Sequence, residues 1–306
     1  MKILVVGPGA MGCLFAARLT KAGFDVTLLD YILERAEKIT EQGIMVQGVT
    51  GQYSVKVPTV TEDIPSTPDL VLICVKSYKT REASETIKAG LPPGATVVTL
   101  QNGLGNVEIL EQVFGKDRIL GGVTSEGATL LGPGNIRHAG QGETIIGPGG
   151  DPDSSAEKLV SAFNKAGFKT KSVDSVKDLI WGKLIINVGI NALTAITRLK
   201  NGRLPETRGT RLIMEEAVKE AVAVAEAKNI QLPYPDPMRR VMEVCEATAA
   251  NIASMLQDVL KERETEVDAI NGAIVQEGEA LGIPAPVNRT LTSLVHAIQE
   301  TYHERI

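Results

Sequence analysis

Lys2-Ile3-Leu4-Val5-Val6-Gly7-Pro8-Gly9-Ala10-Met11-Gly12 opens the chain with a short apolar run, a glycine-rich turn and the start of a helical pattern. An apolar run of this length reads as a buried strand, and the 3.6-residue periodicity of residues 10–21 reads as a helix. The glycines are spaced Gly-x-Gly-x-x-Gly. Gly7 permits a tight turn, Gly9 lets a pyrophosphate approach the backbone, and Gly12 lets the helix pack closely on the strand. The helix N-terminus then offers unpaired N–H groups and a positive dipole end to phosphate. A glycine run alone is a weak signal, but between a strand and a helix it is a dinucleotide-binding fingerprint. A glycine-rich turn without a ligand is the plainer alternative. On the first reading Gly7, Pro8, Gly9, Ala10, Met11 and Gly12 are cofactor-binding candidates.

Working outward, apolar strands alternate with helices up to about residue 172. Strands are expected at 2–6, 26–30, 70–76, 96–101 and 118–126, with helices such as 10–21 and 34–42 between them. Val/Ile/Leu-rich strands joined by helical crossovers indicate a parallel sheet covered on both faces. Two stretches read as antiparallel: 44–57, turning near Thr50-Gly51, and 128–147, turning at Gly132-Pro133-Gly134. A loop at 149–155 precedes a last helix and a strand near 169–173. Beyond that the periodicity is helical throughout, over 175–195, 205–228, 236–260, 266–281 and 288–303. The expected fold is α/β, an N-terminal Rossmann-type doubly wound sheet (1–172) followed by an all-helical C-terminal domain (173–306).

In a doubly wound sheet, ligands bind at the carboxyl ends of the strands. Asp30 ends the second strand, where an acid can accept hydrogen bonds from an adenosine ribose and repel a 2′-phosphate. That favours NAD over NADP locally, although Arg35 could swing back to a phosphate. The alternative for Asp30 is a cap for the following helix. Lys76 and Asn102 also lie at strand ends. Lys76 could meet a phosphate or ribose and Asn102 the nicotinamide end, but Asn102-Gly103 is also a common turn pair.

In the helical half, Trp181-Gly182-Lys183-Leu184-Ile185-Ile186-Asn187-Val188-Gly189-Ile190-Asn191 is apolar or small except at three positions. Steps of four residues in a helix drift by only about 40°, so Lys183, Asn187 and Asn191 form one stripe. A buried ammonium is costly unless partnered, and buried amides need hydrogen-bond partners. Such a stripe suits a cleft holding a polar ligand, or a polar seam against another helix. Asn251 and Ser254 are expected on one face of a further helix, and Glu266 in the first turn of the next, where the helix dipole favours an acid. His138, His296 and His303 are scattered without metal-ligand spacing, and no metal site is expected.

The net charge of −5 gives no basic surface for nucleic acid. Cys13, Cys74 and Cys245 lie far apart with no CxxC pair, which fits a reducing cytoplasm. Gly7-Pro8-Gly9 breaks the first apolar run at once and Ala16-Ala17-Arg18 is a poor cleavage site, so no secretory leader is expected. No run is expected to span a bilayer.

The glycine loop, the Gln101-Asn102-Gly103 turn, the Lys-x3-Asn-x3-Asn helix, the run Asn251-Ile252-Ala253-Ser254-Met255-Leu256-Gln257-Asp258 and the run Thr265-Glu266-Val267-Asp268-Ala269-Ile270-Asn271-Gly272 together resemble the ketopantoate reductase (2-dehydropantoate 2-reductase) family over essentially the whole chain. The resemblance implies reduction of 2-dehydropantoate to (R)-pantoate, a step towards coenzyme A, by hydride from a reduced nicotinamide. It implies that Lys183 is the proton donor and that Asn187, Asn191, Asn201, Asn251 and Ser254 bind substrate. It further implies that Gly7 to Gly12, Lys76, Asn102, Ala128 and Glu266 contact the cofactor. The family is mostly NADPH-dependent, with a basic residue just after the second strand. Here Asp30-Tyr31 stands in that place, so NADP is the family expectation and NAD is open. The partner implied is a small keto acid; a homodimer is an option the sequence leaves open, and charge and hydropathy lead to no expectation of nucleic acid or membrane.

Two rivals stand beside this reading. A β-hydroxyacid dehydrogenase of the 3-hydroxyisobutyrate type also couples a glycine fingerprint to a Lys-x3-Asn helix, but should lack the two C-terminal runs. A non-catalytic dinucleotide sensor has no need for a lysine in an otherwise apolar helix.

Overall fold

The structure, a computed structural model, describes residues 1–62, 64, 67–148 and 155–304; the loop expected at 149–155 falls outside these up to residue 154. The chain divides into two compact units, Met1–Gln101 with Gly105–Val176, and Asn102–Leu104 with Lys177–Ile306. The division thus falls at 176/177 rather than 172/173, and Asn102 and Gly103 of the Gln-Asn-Gly turn go with the helical unit, together with Leu104.

The first unit runs β1 (Lys2–Val6), α1 (Ala10–Lys21), β2 (Asp25–Leu29), α2 (Leu33–Gln42), β3 (Ile44–Gly48), β4 (Tyr53–Val55), β5 (Thr59–Val60), β6 (Leu70–Ile73), α3 (Thr80–Lys88), β7 (Thr96–Thr99), α4 (Asn106–Phe114), β8 (Ile119–Thr124), β9 (Gly127–Gly132), β10 (Asn135–Gly140), β11 (Glu143–Pro148), α5 (Ser155–Lys165) and β12 (Lys169–Ser172). The large sheet has the order β12-β11-β8-β7-β6-β1-β2-β5. Its neighbours pair in parallel except β8 with β11. Strands such as β6, Leu70-Val71-Leu72-Ile73, are buried throughout, because helices cover both faces. Two cores result: one holds Leu14, Phe15 and Phe163, the other Leu110, Val113 and Phe114.

The two stretches read as antiparallel do form hairpins, β3 with β4 and β9 with β10. They join through a parallel β3–β10 pairing into one small sheet, β4-β3-β10-β9, while β11 leaves for the large sheet. Helix α1 packs against both sheets.

The second unit comprises α6 (Lys177–Thr197), α7 (Arg208–Ala227), α8 (Pro237–Ala247), α9 (Ser254–Val259), a π-helical turn Asp268–Gly272 leading into α10 (Ala273–Leu281), and α11 (Pro286–Glu300). Helix α6 is packed by α7, α8, α9 and α11. A Cβ on Gly182 would stand 2.8 Å from the Pro233 ring, and one on Gly189 would stand 2.9 Å from a Val241 methyl. Both glycines therefore let neighbours reach the α6 backbone. Contrary to expectation, one helix among the described residues is long and apolar enough to cross a bilayer: α6, with mean hydropathy 1.6. Its apolar residues, Trp181 to Ala195, are instead part of the helical core.

The expected helix over 236–260 is broken between Ala247 and Ser254. Tertiary hydrogen bonds take the place of helical ones there. Asn201 N–H donates to Asn251 O (3.2 Å), Gly202 N–H to Ala249 O (3.3 Å), and Asn201 Nδ2 to Thr248 Oγ1 (2.9 Å). Apolar periodicity alone cannot reveal such competition.

The first unit buries one charged cluster. Glu126 Oε2 lies 2.6 Å from His138 Nε2 and 3.9 Å from Arg18 Nη1. His138 Nδ1 lies 2.9 Å from Thr50 Oγ1, and Arg18 Nε donates to Ala166 O at 3.0 Å. The carboxylate thus ties α1 to the small sheet. Removing one partner of a buried ion pair leaves the others uncompensated, so Glu126→Ala is expected to cost about 3–5 kcal/mol of unfolding free energy at neutral pH, read from urea denaturation.

Candidate active site

In the first unit the glycine loop has the form that a phosphate cradle needs. Gly7 has φ +105°, and a Cβ there would come within 2.9 Å of Val75 N. A Cβ on Gly12 would lie 2.0 Å from Gly7 O, so no side chain fits between strand and helix. Over Gly9 the nearest atom to a Cβ is Cys74 O at 3.8 Å, leaving open space beside the backbone. Gly9 caps α1 without a side-chain hydrogen bond, and the first turn carries no acid. These residues fit a dinucleotide pyrophosphate: the open space, the uncapped N–H groups and the positive dipole end coincide.

Asp30 follows β2, but its carboxylate is not presented to a ligand. It accepts from Tyr31 N–H (2.7 Å), Ile32 N–H (3.1 Å), Arg35 Nε (2.6 Å) and Arg35 Nη2 (2.5 Å). Of the two side chains, Asp30 is 0% exposed and Arg35 24%. Nor does Asp30 cap α2, whose N-cap is Ile32 without a side-chain hydrogen bond; it holds the two N–H groups just ahead of the helix, and Arg35 closes over it. The hydrogen bonds it donates to Asp30 raise the Arg35 pKa above its usual value, so the guanidinium stays charged.

Lys76 is half-buried at the exit of β6, ahead of the 3₁₀ turn Ser77–Lys79. Ala128 lies half-buried in β9, opposite His138. Gln101, which the sequence did not single out, secures the β6 exit. Its Nε2 donates to Val75 O (2.7 Å) and Thr80 Oγ1 (2.8 Å), while its Oε1 accepts from Thr99 Oγ1 (2.8 Å).

In the helical unit, half-buried Asn102 opens the segment Asn102–Leu104. Gly103, at φ +86°, passes so close to Ala269 that a Cβ would stand 2.4 Å from its carbonyl oxygen. Leu104 N–H donates to that same oxygen at 2.9 Å.

Helix α6 carries the polar stripe. Lys183 and Asn187 are half-buried, whereas Asn191 is buried. Burial pushes the Lys183 ammonium down to about 8, partly opposed by the negative charge of Glu266. Glu266 is itself buried, two residues before the π-helical turn rather than in the first turn of a regular helix. Asn187 Nδ2 is buried with no hydrogen-bond partner among the described residues. A buried donor left unmade is costly, and this one lies on α6 four residues from Lys183.

Asn251 and Ser254 do not share a helix face as expected. Asn251 is exposed in the break before α9, and Ser254 is exposed at the first position of α9. The break brings Asn251 to Asn201 through their backbone bond, and Asn201 Oδ1 is a buried acceptor without a partner among the described residues. Helix α9 packs on α6. Among the described residues no group of three or more His, Cys, Asp or Glu is placed to hold a metal ion.

A doubly wound sheet with this glycine loop, followed by a helical unit carrying a half-buried lysine, defines a dinucleotide-dependent oxidoreductase. The chain belongs to the ketopantoate reductase family: "Ketopantoate reductase PanE/ApbA" matches residues 3–151 and "Ketopantoate reductase PanE/ApbA C terminal" matches residues 175–299. It is 38% identical over 302 residues to the 2-dehydropantoate 2-reductase of Halobacterium salinarum, covering 98% of this chain and 99% of that one. The crystal structure of a PanE/ApbA family ketopantoate reductase from Ralstonia eutropha aligns with TM-score 0.91 at 34% identity, over 99% of this chain and 100% of that one. A D-mandelate dehydrogenase bound to NADH and anilino(oxo)acetate aligns with TM-score 0.92 at 28% identity, over the same shares.

Replacing the unpaired Asn187 amide by an apolar group of similar size removes its desolvation penalty. Asn187→Leu is expected to raise stability by about 1 kcal/mol while impairing turnover. Thermal unfolding beside steady-state kinetics checks both, and a destabilised variant would show that Asn187 serves the fold.

Proposed function

We propose that the chain is a 2-dehydropantoate 2-reductase, converting the ketone of 2-dehydropantoate to the alcohol of (R)-pantoate. The observation that carries the reading is Lys183, a half-buried amine whose pKa falls to about 8, four residues from an unpaired buried amide. Membership of the family over nearly the full chain supports the substrate. NADPH or NADH supplies the hydride when bound.

A ketone that receives hydride becomes an alkoxide, which needs a proton and a nearby positive charge. The Lys183 ammonium supplies both. At a pKa of about 8 it is protonated at neutral pH yet gives up its proton more readily than an exposed lysine. Burial makes the amine acidic, and Glu266 keeps it from losing its proton too early. Asn187 and Asn191 orient the amine and the substrate by neutral hydrogen bonds. Asn201, Asn251 and Ser254 hold the carboxylate or hydroxyl of the acid. Gly7 to Gly12, Lys76, Asn102, Ala128 and Glu266 make the cofactor contacts, with Asp30 acting through Arg35.

We place the reaction in the cytoplasm, where the free thiols of Cys13, Cys74 and Cys245 would stay reduced, with the keto acid as small-molecule partner and a homodimer as the assembly to test by sizing. The decisive assay follows nicotinamide oxidation with 2-dehydropantoate, aromatic 2-oxo acids and 3-oxo acids. Clear preference for an aromatic 2-oxo acid would move the chain towards the mandelate dehydrogenase type, and preference for a 3-oxo acid towards the hydroxyisobutyrate type.

Two outcomes test the residue roles. Reduction requires protonated Lys183, so kcat/KM should fall as pH rises through about 8. Lys183→Ala should lose about 10²–10⁴ in kcat at neutral pH while retaining dinucleotide binding. A variant with near-normal kcat would remove Lys183 from the mechanism. Asn251→Ala and Ser254→Ala should each weaken 2-dehydropantoate binding by about 0.5–3 kcal/mol with cofactor Kd unchanged, measured by calorimetry. A defect confined to cofactor binding would contradict that placement.

A further inference from the structure

The stretch 263–267, between α9 and the π-helical turn, has no regular structure of its own, so its backbone groups must be satisfied from elsewhere. Glu266 sits in that stretch, with Thr265 and Val267 buried on either side of it. Much of what holds it comes from the last turns of α11. Thr265 N–H donates to Gln299 Oε1 at 2.6 Å, and the Tyr302 hydroxyl donates to Arg263 O at 2.7 Å. His296 Nε2 lies 3.0 Å from Asp268 Oδ1, just beyond Glu266. His296 and Gln299 are three apart and share one face of α11, and Tyr302 opens the 3₁₀ turn that follows it. Thr265 passes the hold on, its Oγ1 accepting from Val267 N–H at 3.3 Å. Three side chains from one end of α11 thus grip the chain at 263, 265 and 268, on both sides of an acid that lies in no regular element.

We propose that Gln299 and Tyr302 are positioning residues for the proton donor: from the end of α11 they fix the stretch 263–267, and so hold the Glu266 carboxylate where its charge acts on Lys183. The inference rests on Lys183 as the proton donor of the proposed reduction, and it gives a role to turns of the chain that carry none of the residues that reading uses. The elements packed around α6 bring further charged groups: Glu220 on α7, Glu243 on α8, Asp258 on α9, Asp268 in the π turn, and His296 and Glu300 on α11. It is Glu266 whose charge opposes the loss of the Lys183 proton. When the hold is released the carboxylate recedes, the ammonium loses attraction, and its proton leaves at lower pH. Admission of water to the helix would act in the opposite sense, by easing desolvation and raising that pH. The sign of the shift therefore separates positioning of the acid from general loosening.

The test measures kcat/KM for the 2-oxo acid against pH at saturating cofactor. Beside it, the pH dependence of Lys183 acetylation by acetic anhydride, read by mass spectrometry on the whole protein, needs no turnover. In the native protein both midpoints should lie at about 8. Gln299→Leu leaves Thr265 N–H without its acceptor, and Tyr302→Phe removes one hydroxyl. Each should lower both midpoints by about half a pH unit, the order expected when a unit charge near contact recedes by about 1 Å. Glu266→Gln should lower the acetylation midpoint further, and adding Gln299→Leu to it should change nothing more. Ile298→Val, which thins the buried face of α11, should lower stability and leave both midpoints in place. Should Gln299→Leu fail to fold, Tyr302→Phe decides. Acetylation midpoints that stay or rise in the folded variants would overturn the proposal. So would a further fall when Gln299→Leu is added to Glu266→Gln, or an equal fall in Ile298→Val. Acetylation midpoints that move as expected in a protein that does not reduce 2-dehydropantoate, or whose kcat/KM profile stays in place, would leave the hold on Glu266 standing and overturn the reading on which it rests.

Discussion

Withholding water from one ammonium group is the constraint on which the helical unit depends. An exposed lysine would titrate far above neutral pH and make a poor proton donor. Lys183 is made acidic by the apolar helix around it, and that helix can exclude water only because its neighbours reach its backbone. Gly182 admits the Pro233 ring, and the Tyr234 hydroxyl then donates to Gly182 O at 2.6 Å. Gly189 admits Val241 and Val218 two turns further on. The glycines are thus as much a part of the lysine's chemistry as the polar stripe is. They also explain why α6 has the hydropathy of a membrane span: a helix surrounded on most sides by protein has no polar face to keep.

Desolvation lowers the Lys183 pKa, and the charge of Glu266 opposes it. Its charge acts on Lys183 only while the segment before the π-helical turn is fixed relative to α6. Asn271, within that turn and fully buried, donates from Nδ2 to Val188 O on α6 (3.3 Å) and to Asn288 Oδ1 (2.9 Å). Asn288 in turn donates to Ala217 O and Glu220 Oε2 on α7. This buried amide chain links α6, α7, α11 and the π turn through directional bonds, which specify one arrangement more sharply than apolar contact does. The extra residue of a π turn is commonly found at functional sites, and here it carries the asparagine that makes the link.

Much of this was legible in the sequence, and the reason is local. The strand, glycine turn and helix at residues 2–21 are contiguous, so spacing alone defines their geometry. The same holds for Lys183, Asn187 and Asn191, whose common face follows from helical periodicity. What escaped was set by partners distant in the chain. The helix read across 236–260 breaks because Asn201 and Gly202 compete for its backbone groups. The parallel β3–β10 pairing depends on two hairpins meeting, and no pattern within either hairpin reports it. The Asn-Gly turn at Asn102 read as part of the first domain, but Ala269 claims it for the second through one backbone bond.

Asp30 shows the limit of reading a residue by type and position. The strand-end acid was visible, and so was Arg35 five residues on. What they do is decided in the turn just ahead of α2. There the Tyr31 and Ile32 N–H groups need an acceptor, and the Asp30 side chain supplies it. Once the carboxylate turns inward to the helix end, it becomes a buried charge that itself requires a cation. Arg35, in the first turn of α2, supplies two parallel N–H donors from a fixed fork. The bonds to the backbone therefore turn the carboxylate inward, and the ion pair follows from its burial.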